Sequence, residues 1–144
     1  MLELLVVMAI MGILAAIAVP SLTAWTRSSQ QAGVSRDLVG QLRQVEQYAV
    51  TQNTTFRVTF SATTAAIAKY DTASNAWVSF RSYQSTSSAV TFANANFSSS
   101  SGANVCYFTA RGTATRGSIQ VIRSGSSKTY TISVEGLTAR VSYQ

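Results

Sequence analysis

The first twenty residues, MLELLVVMAIMGILAAIAVP (Met1–Pro20), decide the fold, and one of them is out of character. Glu3 heads a segment otherwise as apolar as a membrane span. The next charged residue is Arg27, so residues 4–26 form a 23-residue uncharged run. At about 1.5 Å per residue, a helix of roughly 20 residues crosses the hydrocarbon core of a bilayer. A charged side chain at the centre of such a helix costs about 2.5–3.5 kcal/mol on insertion scales. Near the end the cost is lower, but a carboxylate there still calls for a partner. A secretory signal has a shorter apolar region, preceded by basic residues and followed by a small-residue cleavage site. Here no Lys or Arg precedes the run, and Pro20 leads straight into an amphipathic segment. The run reads as a retained membrane helix.

From Trp25 onward the pattern changes. Val34, Leu38, Leu42, Val45 and Ala49 recur at spacings of three and four, while Arg36, Asp37, Arg43 and Glu46 fall off that stripe. Such spacing gives a helix one apolar face. The two segments together predict one helix from near the N-terminus to about Gln52, roughly 75 Å long. Its first half is apolar all round and its second half is one-sided. Gly12 and Pro20 are its weak points, because proline removes a helical hydrogen bond and clashes with the preceding turn. A kink or local melting is expected near residues 12–20. The division that follows is a hydrophobic half-helix over 1–26 and a globular head over 27–144.

The stretch TQNTTF (51–56) ends the helix, and the rest reads as short strands. In TFRVTF, Phe56, Val58 and Phe60 alternate with Arg57 and Thr59. The segments AAIAKY, AWVSFRSY, AVTF, VCYFTA, GSIQVI, KTYTISV and TARVSY are likewise rich in β-branched and aromatic residues. Turn signals separate them at 71–75, 98–102, 111–117 and 124–127. The expected fold class is α+β: a long N-terminal helix packed on an antiparallel β-sheet domain, the apolar face of the sheet covering the stripe. The first half-helix projects bare, and must lie in membrane or against other copies of itself.

The chemistry is sparse. There is no histidine and a single cysteine, Cys106, which excludes an intramolecular disulfide, a Cys/His zinc site and any histidine-based catalytic dyad. The carboxylates Asp37, Glu46, Asp71 and Glu135 are scattered, and no phosphate-cradling glycine pattern is present. Neither a cofactor nor a metal is expected, and the chain does not read as an enzyme. DTASN (71–75) reads as a turn, since a calcium loop needs more oxygen ligands at fixed spacing. Cys106 reads as a small buried hydrophobe. The formal charge of +6 favours anionic partners, and also keeps a Ser/Thr-rich head soluble. Arg111, Arg116, Arg123, Lys128 and Arg140 crowd the last 34 residues with only Glu135 opposing them. If the hairpin ends bearing them share one edge, they form a basic patch able to contact DNA phosphates. Otherwise they are solvated strand-end charges and contacts to acidic residues on neighbouring subunits.

The opening LELLVVMAIMGILAAIAVPSL, with one carboxylate near its start and a proline before its end, followed by a sheet domain, resembles the type IV pilins and pseudopilins. In that family a leader ending in glycine is removed by a prepilin peptidase and the new N-terminus is methylated. The mature chain begins Phe or Met, then Thr, Leu, Ile or Leu, and Glu. The resemblance maps Glu3 onto the family glutamate and Pro20 onto its helix proline at the same separation. By that correspondence the leader and two residues of the usual mature start are expected to precede the present Met1. The family glutamate faces the N-terminal amine of a neighbouring subunit during assembly, and an apolar setting makes such pairing selective because an unpaired charge is costly. Glu3, Gly12 and Pro20 are thereby the assembly residues that the resemblance implies.

The passage LVGQLRQVEQYAVTQNTTFRVTF is similar to the helix-to-first-strand region of the FimT/GspH-type minor pilins and pseudopilins. FTARGTATRGSIQVI and TISVEGLTARVSYQ are similar to that group's two late hairpins. A Gly-Arg-x-Arg motif often present there reads Gly136-Leu137-Thr138-Ala139-Arg140 here, keeping one arginine in a shifted place. Cys106 also lacks the partner that closes the C-terminal disulfide loop of many major pilins. The resemblance implies a structural filament subunit. Its partners are other copies or other pilins, the inner membrane before assembly and the prepilin peptidase; DNA is a further candidate, because some FimT-type proteins bind it during transformation. It implies a single-pass inner-membrane location before assembly and a periplasmic or extracellular filament afterwards. The alternatives are a DNA-binding minor pilin, a type II secretion pseudopilin and a one-span protein that never assembles.

Overall fold

The computed structural model describes the backbone of residues 2–144, and the side chains of these residues except 2, 18–21 and 24. Helix α1 runs from Leu2–Thr51 without interruption, 50 residues or about 75 Å. It passes through Gly12 and Pro20, so the local melting expected near 12–20 is not seen in the single chain. The side chain of Pro20 lies outside the described residues. The C-terminus of α1 is set by Asn53, whose φ of 48° is left-handed. The Asn53 N–H donates to Val50 O at 3.2 Å and the Thr54 N–H to Ala49 O at 3.1 Å, satisfying carbonyls that a helix end leaves open.

The head-facing part of α1 buries the expected stripe. Val34, Leu38, Leu42, Val45 and Ala49 are all buried, joined by Val39. They pack with Phe56, Phe108, Ile119 and Ile132 in one hydrophobic core. Two polar residues in phase with the stripe, Gln31 and Ser35, are buried too. The Ser35 hydroxyl donates to Gln31 O one turn back.

Eight strands follow: β1 (Phe56–Phe60), β2 (Thr64–Asp71), β3 (Ala76–Gln84), β4 (Val90–Phe97), β5 (Val105–Phe108), β6 (Gly117–Arg123), β7 (Thr129–Val134) and β8 (Val141–Tyr143). They form two four-stranded sheets rather than the one expected, with orders β3-β2-β1-β5 and β4-β6-β7-β8. Every pairing is antiparallel. Of the two late hairpins, β7–β8 forms, pairing Val134 with Val141. The other does not, since β5 joins β1 (Phe56 opposite Phe108) while β6 lies between β4 and β7. The physical reason is twist. Adjacent strands rotate by roughly 20–25°, so a single eight-stranded sheet would turn away from a straight helix, whereas two short sheets both keep an apolar face on α1. Helix α1 accordingly touches β1 and β5 of the first sheet and β6, β7 and β8 of the second.

The sheets meet at stacked rings, Phe60 on Phe97 at 5.4 Å between centroids; Phe108 of β5 also bridges Ala114, whose N–H donates to Gly136 O just after β7. Beside this seam, β4 carries an irregularity between Ala93 and Asn96. There Gly117 lets two backbones touch: a Cβ on it would lie 2.4 Å from Asn96 O and 2.5 Å from Phe97 Cα.

Candidate functional site

Along the first half of α1 the apolar side chains are in the open. Leu4, Leu5, Val6, Val7, Met8, Ile10 and their neighbours through Ile17 are exposed, as are Leu22 and Trp25. An exposed apolar face of this extent marks an interaction surface. Among the described residues no helix is long and apolar enough to cross a membrane; the uncharged run includes residues 18–21 and 24, whose side chains are not among those described.

Glu3 is exposed in the first turn of α1, where the positive end of the helix dipole favours a carboxylate. The nearest basic residue along the helix is Arg27, about 36 Å away at the rise of an α-helix. Glu3 is therefore remote from the basic side chains of the head. A Cβ built on Gly12 meets nothing within 4 Å, so no packing inside the single chain explains this glycine.

The five C-terminal basic residues do not share one edge. Arg116 and Arg123 bracket β6 at its two ends, about 23 Å apart at the rise of a strand. Strand β7 runs back beside β6, Thr129 facing Ile122 and Val134 facing Gly117. Lys128 therefore joins Arg123 at one end. Arg140 joins Arg116 at the other, where the Glu135 N–H donates to Arg140 O at 3.0 Å. Arg111 sits at the exposed tip of a turn closed by the Thr109 N–H donating to Thr113 O. That tip lies at the far end of α1, since a Cβ on Gly112 would meet Val50. Near Arg140, the residues Arg43, Glu46, Gln47 and Thr138 line a shallow cleft. Burial raises the Glu46 carboxyl above its ordinary range despite the opposing pull of Arg43.

At the end nearest the bare half-helix, the contacts are polar and specific. The Arg123 guanidinium donates from Nη1 to Arg27 O at 3.2 Å and to Gln30 Oε1 at 2.7 Å. Gln31, wholly buried, donates from Nε2 to Val121 O at 3.0 Å and to Lys128 O at 2.8 Å. These bonds clamp the β6–β7 hairpin to α1. Gln31 escaped the sequence reading, although its signal was there: it lies three residues before Val34, in phase with the apolar stripe.

Cys106 is buried in β5, and burial pushes its thiol up to about 12. It is a protonated, inert group at neutral pH. Among the described residues no group of three or more His, Cys, Asp or Glu side chains could hold a metal ion. On the outer face of the first sheet, Arg57 stands 4.7 Å over the Trp77 ring, which also meets Tyr70 and Tyr107.

A model of the family described as Type II transport protein GspH matches residues 34–138, well over half of the chain. No curated protein sequence matches. Among solved structures the chain is similar to the type IV minor pilin FimU of Pseudomonas aeruginosa, at 16% identity, TM-score 0.62, covering 83% of this chain and 92% of that one. The minor pseudopilin EpsH of the Vibrio cholerae type II secretion system aligns at 7% identity, TM-score 0.61, over 82% and 94% of the two chains. GspH of E. coli aligns at 14% identity, TM-score 0.58, over 83% and 88%. At these identities the structures speak to the fold, and the family match carries the relationship. Proteins of this family are envelope proteins, anchored in a membrane and then associated with a filament that they form with other pilins. The chain belongs to the GspH family of minor pilins and pseudopilins, and it is a structural filament subunit.

Proposed function

We propose that residues 1–26 hold the chain in the inner membrane as a single span, and that the same surface then packs against other pilins in the filament core. The observation that carries this reading is the row of exposed apolar side chains from Leu4 to Ile17 on a helix with no covering element. Burying one such side chain is worth about 1.5–3 kcal/mol, so the sum over the half-helix drives association with no catalytic group. Glu3 acts as a register device: an axial position that leaves its carboxylate unpaired in an apolar surround is disfavoured. Gly12 admits a close neighbour, and Pro20 is where the helix loosens on leaving the bilayer. A prepilin peptidase supplies the mature N-terminus.

The test is Glu3→Ala in the full chain. It should insert in membrane normally and be depleted at least tenfold from sheared filaments; normal incorporation would sink this account of Glu3. Whether the chain is a shaft-forming or a minor subunit is read from sheared filaments by electron microscopy with mass spectrometry. A subunit dominant in long filaments is a shaft pilin, and a trace component is a minor pilin or pseudopilin.

DNA capture is the second reading, favoured by the grouping of Arg111, Arg116 and Arg140 at the end of the head farthest from the bare half-helix. Phosphate contacts weaken as salt rises. A gel shift with residues 27–144 that is present at low salt, lost at high salt and abolished by neutralising these three arginines would support it. Arg123 and Lys128, at the opposite end, should contribute little.

A further inference from the structure

Where α1 enters the head, the chain builds a basic and aromatic collar. Trp25 is 68% exposed, and Arg27 is the first charge after the apolar run. The tip of the β6–β7 hairpin folds back against this turn, so that Trp25, Arg27 and Ser28 face Gly125, Ser126 and Lys128 across an open cleft of about 430 Å³. None of its lining residues is acidic. The hairpin tip is not loosely placed. Gln31 holds the carbonyls of Val121 and Lys128, and Arg123 holds Arg27 O and Gln30. Within the tip, the Lys128 N–H donates to Ser126 Oγ and the Ser126 N–H to Arg123 O.

Depth along the helix adds a second, independent constraint. Glu3 and Trp25 are separated by about 33 Å of helix, close to the roughly 30 Å of a bilayer's hydrocarbon core. With Glu3 at one interface, Trp25 lies at the other, the depth at which tryptophan is enriched. Arg27, Arg123 and Lys128 then stand at the level of the phosphates. Each basic residue near an anionic lipid surface strengthens binding by about fivefold. Serine hydroxyls beside the cations are hydrogen-bond donors to phosphate oxygens.

We propose that this cleft is a docking surface for the phosphate-bearing headgroups of anionic phospholipids, seating the head on the bilayer face from which α1 emerges until the subunit is drawn into a filament. The proposal rests on the reading of residues 1–26 as a membrane segment, and the experiment separates the two. The full chain is reconstituted with vesicles of phosphatidylcholine alone, or with about a third of phosphatidylglycerol. Flotation reports insertion, and amide hydrogen exchange at residues 124–128 reports docking. The expected result is flotation with both vesicles and at least threefold slower exchange at 124–128 in the anionic ones. That protection should vanish in Arg27→Gln/Lys128→Gln and in 0.5 M salt, while Lys69→Gln, on β2 in the other sheet, keeps it. Flotation with equal exchange in both vesicles overturns the docking and leaves the membrane segment standing. Flotation with neither overturns both. If a short DNA duplex added to the detergent-solubilised chain protects 124–128 as well as the anionic vesicles do, the cleft is a general phosphate site and the lipid assignment falls.

Discussion

The two halves of α1 share one backbone and obey opposite rules. From Gln31 to Ala49 the helix is one-sided, its stripe buried under two sheets while Arg36, Asp37 and Arg43 stay in solvent. From Leu4 to Ile17 it is apolar all round and covered by nothing in its own chain. The first arrangement is complete in a single molecule. The second is complete only in another medium or another copy. On the proposed reading, stability of the head and assembly of the filament are written on different residues of the same helix, and substitutions can address them separately.

The strongest way to break that separation is Leu38→Ala. Leu38 is fully buried, and removing such a side chain costs about 2–5 kcal/mol once the cavity is counted. The expected outcome is a large fall in the denaturation midpoint of residues 27–144, checked by urea unfolding; a loss under about 1 kcal/mol would mean that the stripe is not the core. Gln31→Leu comes next. It deletes two hydrogen bonds, one to the carbonyl of buried Val121 and one to the carbonyl of exposed Lys128; leaving the first acceptor unpaired costs about 1–3 kcal/mol before relaxation. The added apolar volume offsets part of this, so a net loss of about 1–2 kcal/mol is expected, with faster hydrogen exchange along β6 and β7.

Glu46→Gln should have a smaller effect of opposite sign. Burial raises its carboxyl pKa in the folded chain above the ordinary value, so the folded state binds the proton more readily than the unfolded one. The penalty is then full above the folded pKa, and it disappears as pH falls through that value to the unfolded one. The variant should gain a few tenths of a kcal/mol at pH 7 and lose that advantage near pH 4, as read from paired urea titrations. The smallest effect on the head belongs to Leu14→Ala. Leu14 is 61% exposed, and the head's melting temperature should not move at all while filament incorporation falls.

Both halves of α1 were legible because periodicity survives in one dimension. Five stripe residues and an unbroken apolar run are local patterns, and so are the eight strands and four of the turns between them. Strand partners are not local. Nothing in VCYF announces that it lies beside FRVTF, with Phe108 opposite Phe56 across 52 positions of chain, or that GSIQVI belongs to the other sheet. The separation of the arginines was available, however. Arg116 and Arg123 flank one strand of seven residues, and a strand holds its ends apart. Gln31 failed for a different reason: a polar residue in phase with an apolar stripe reads as an interruption until a buried carbonyl is found opposite it.

The uninterrupted course of α1 from Leu2 to Thr51 also defines a load path. Tension applied through the half-helix enters the head along one rod, and passes to the second sheet first through the bonds that Gln31 of α1 and Arg123 of the hairpin make between the two. The first sheet meets α1 through β1 and β5 and through β3, where Arg81 Nη1 donates to Gln44 Oε1 and the Phe80 ring meets Tyr48 edge to face. A chain built this way takes traction first in its helix and hairpin, and passes it to the first sheet through side chains such as Gln44 and Tyr48 in the last turns of the helix.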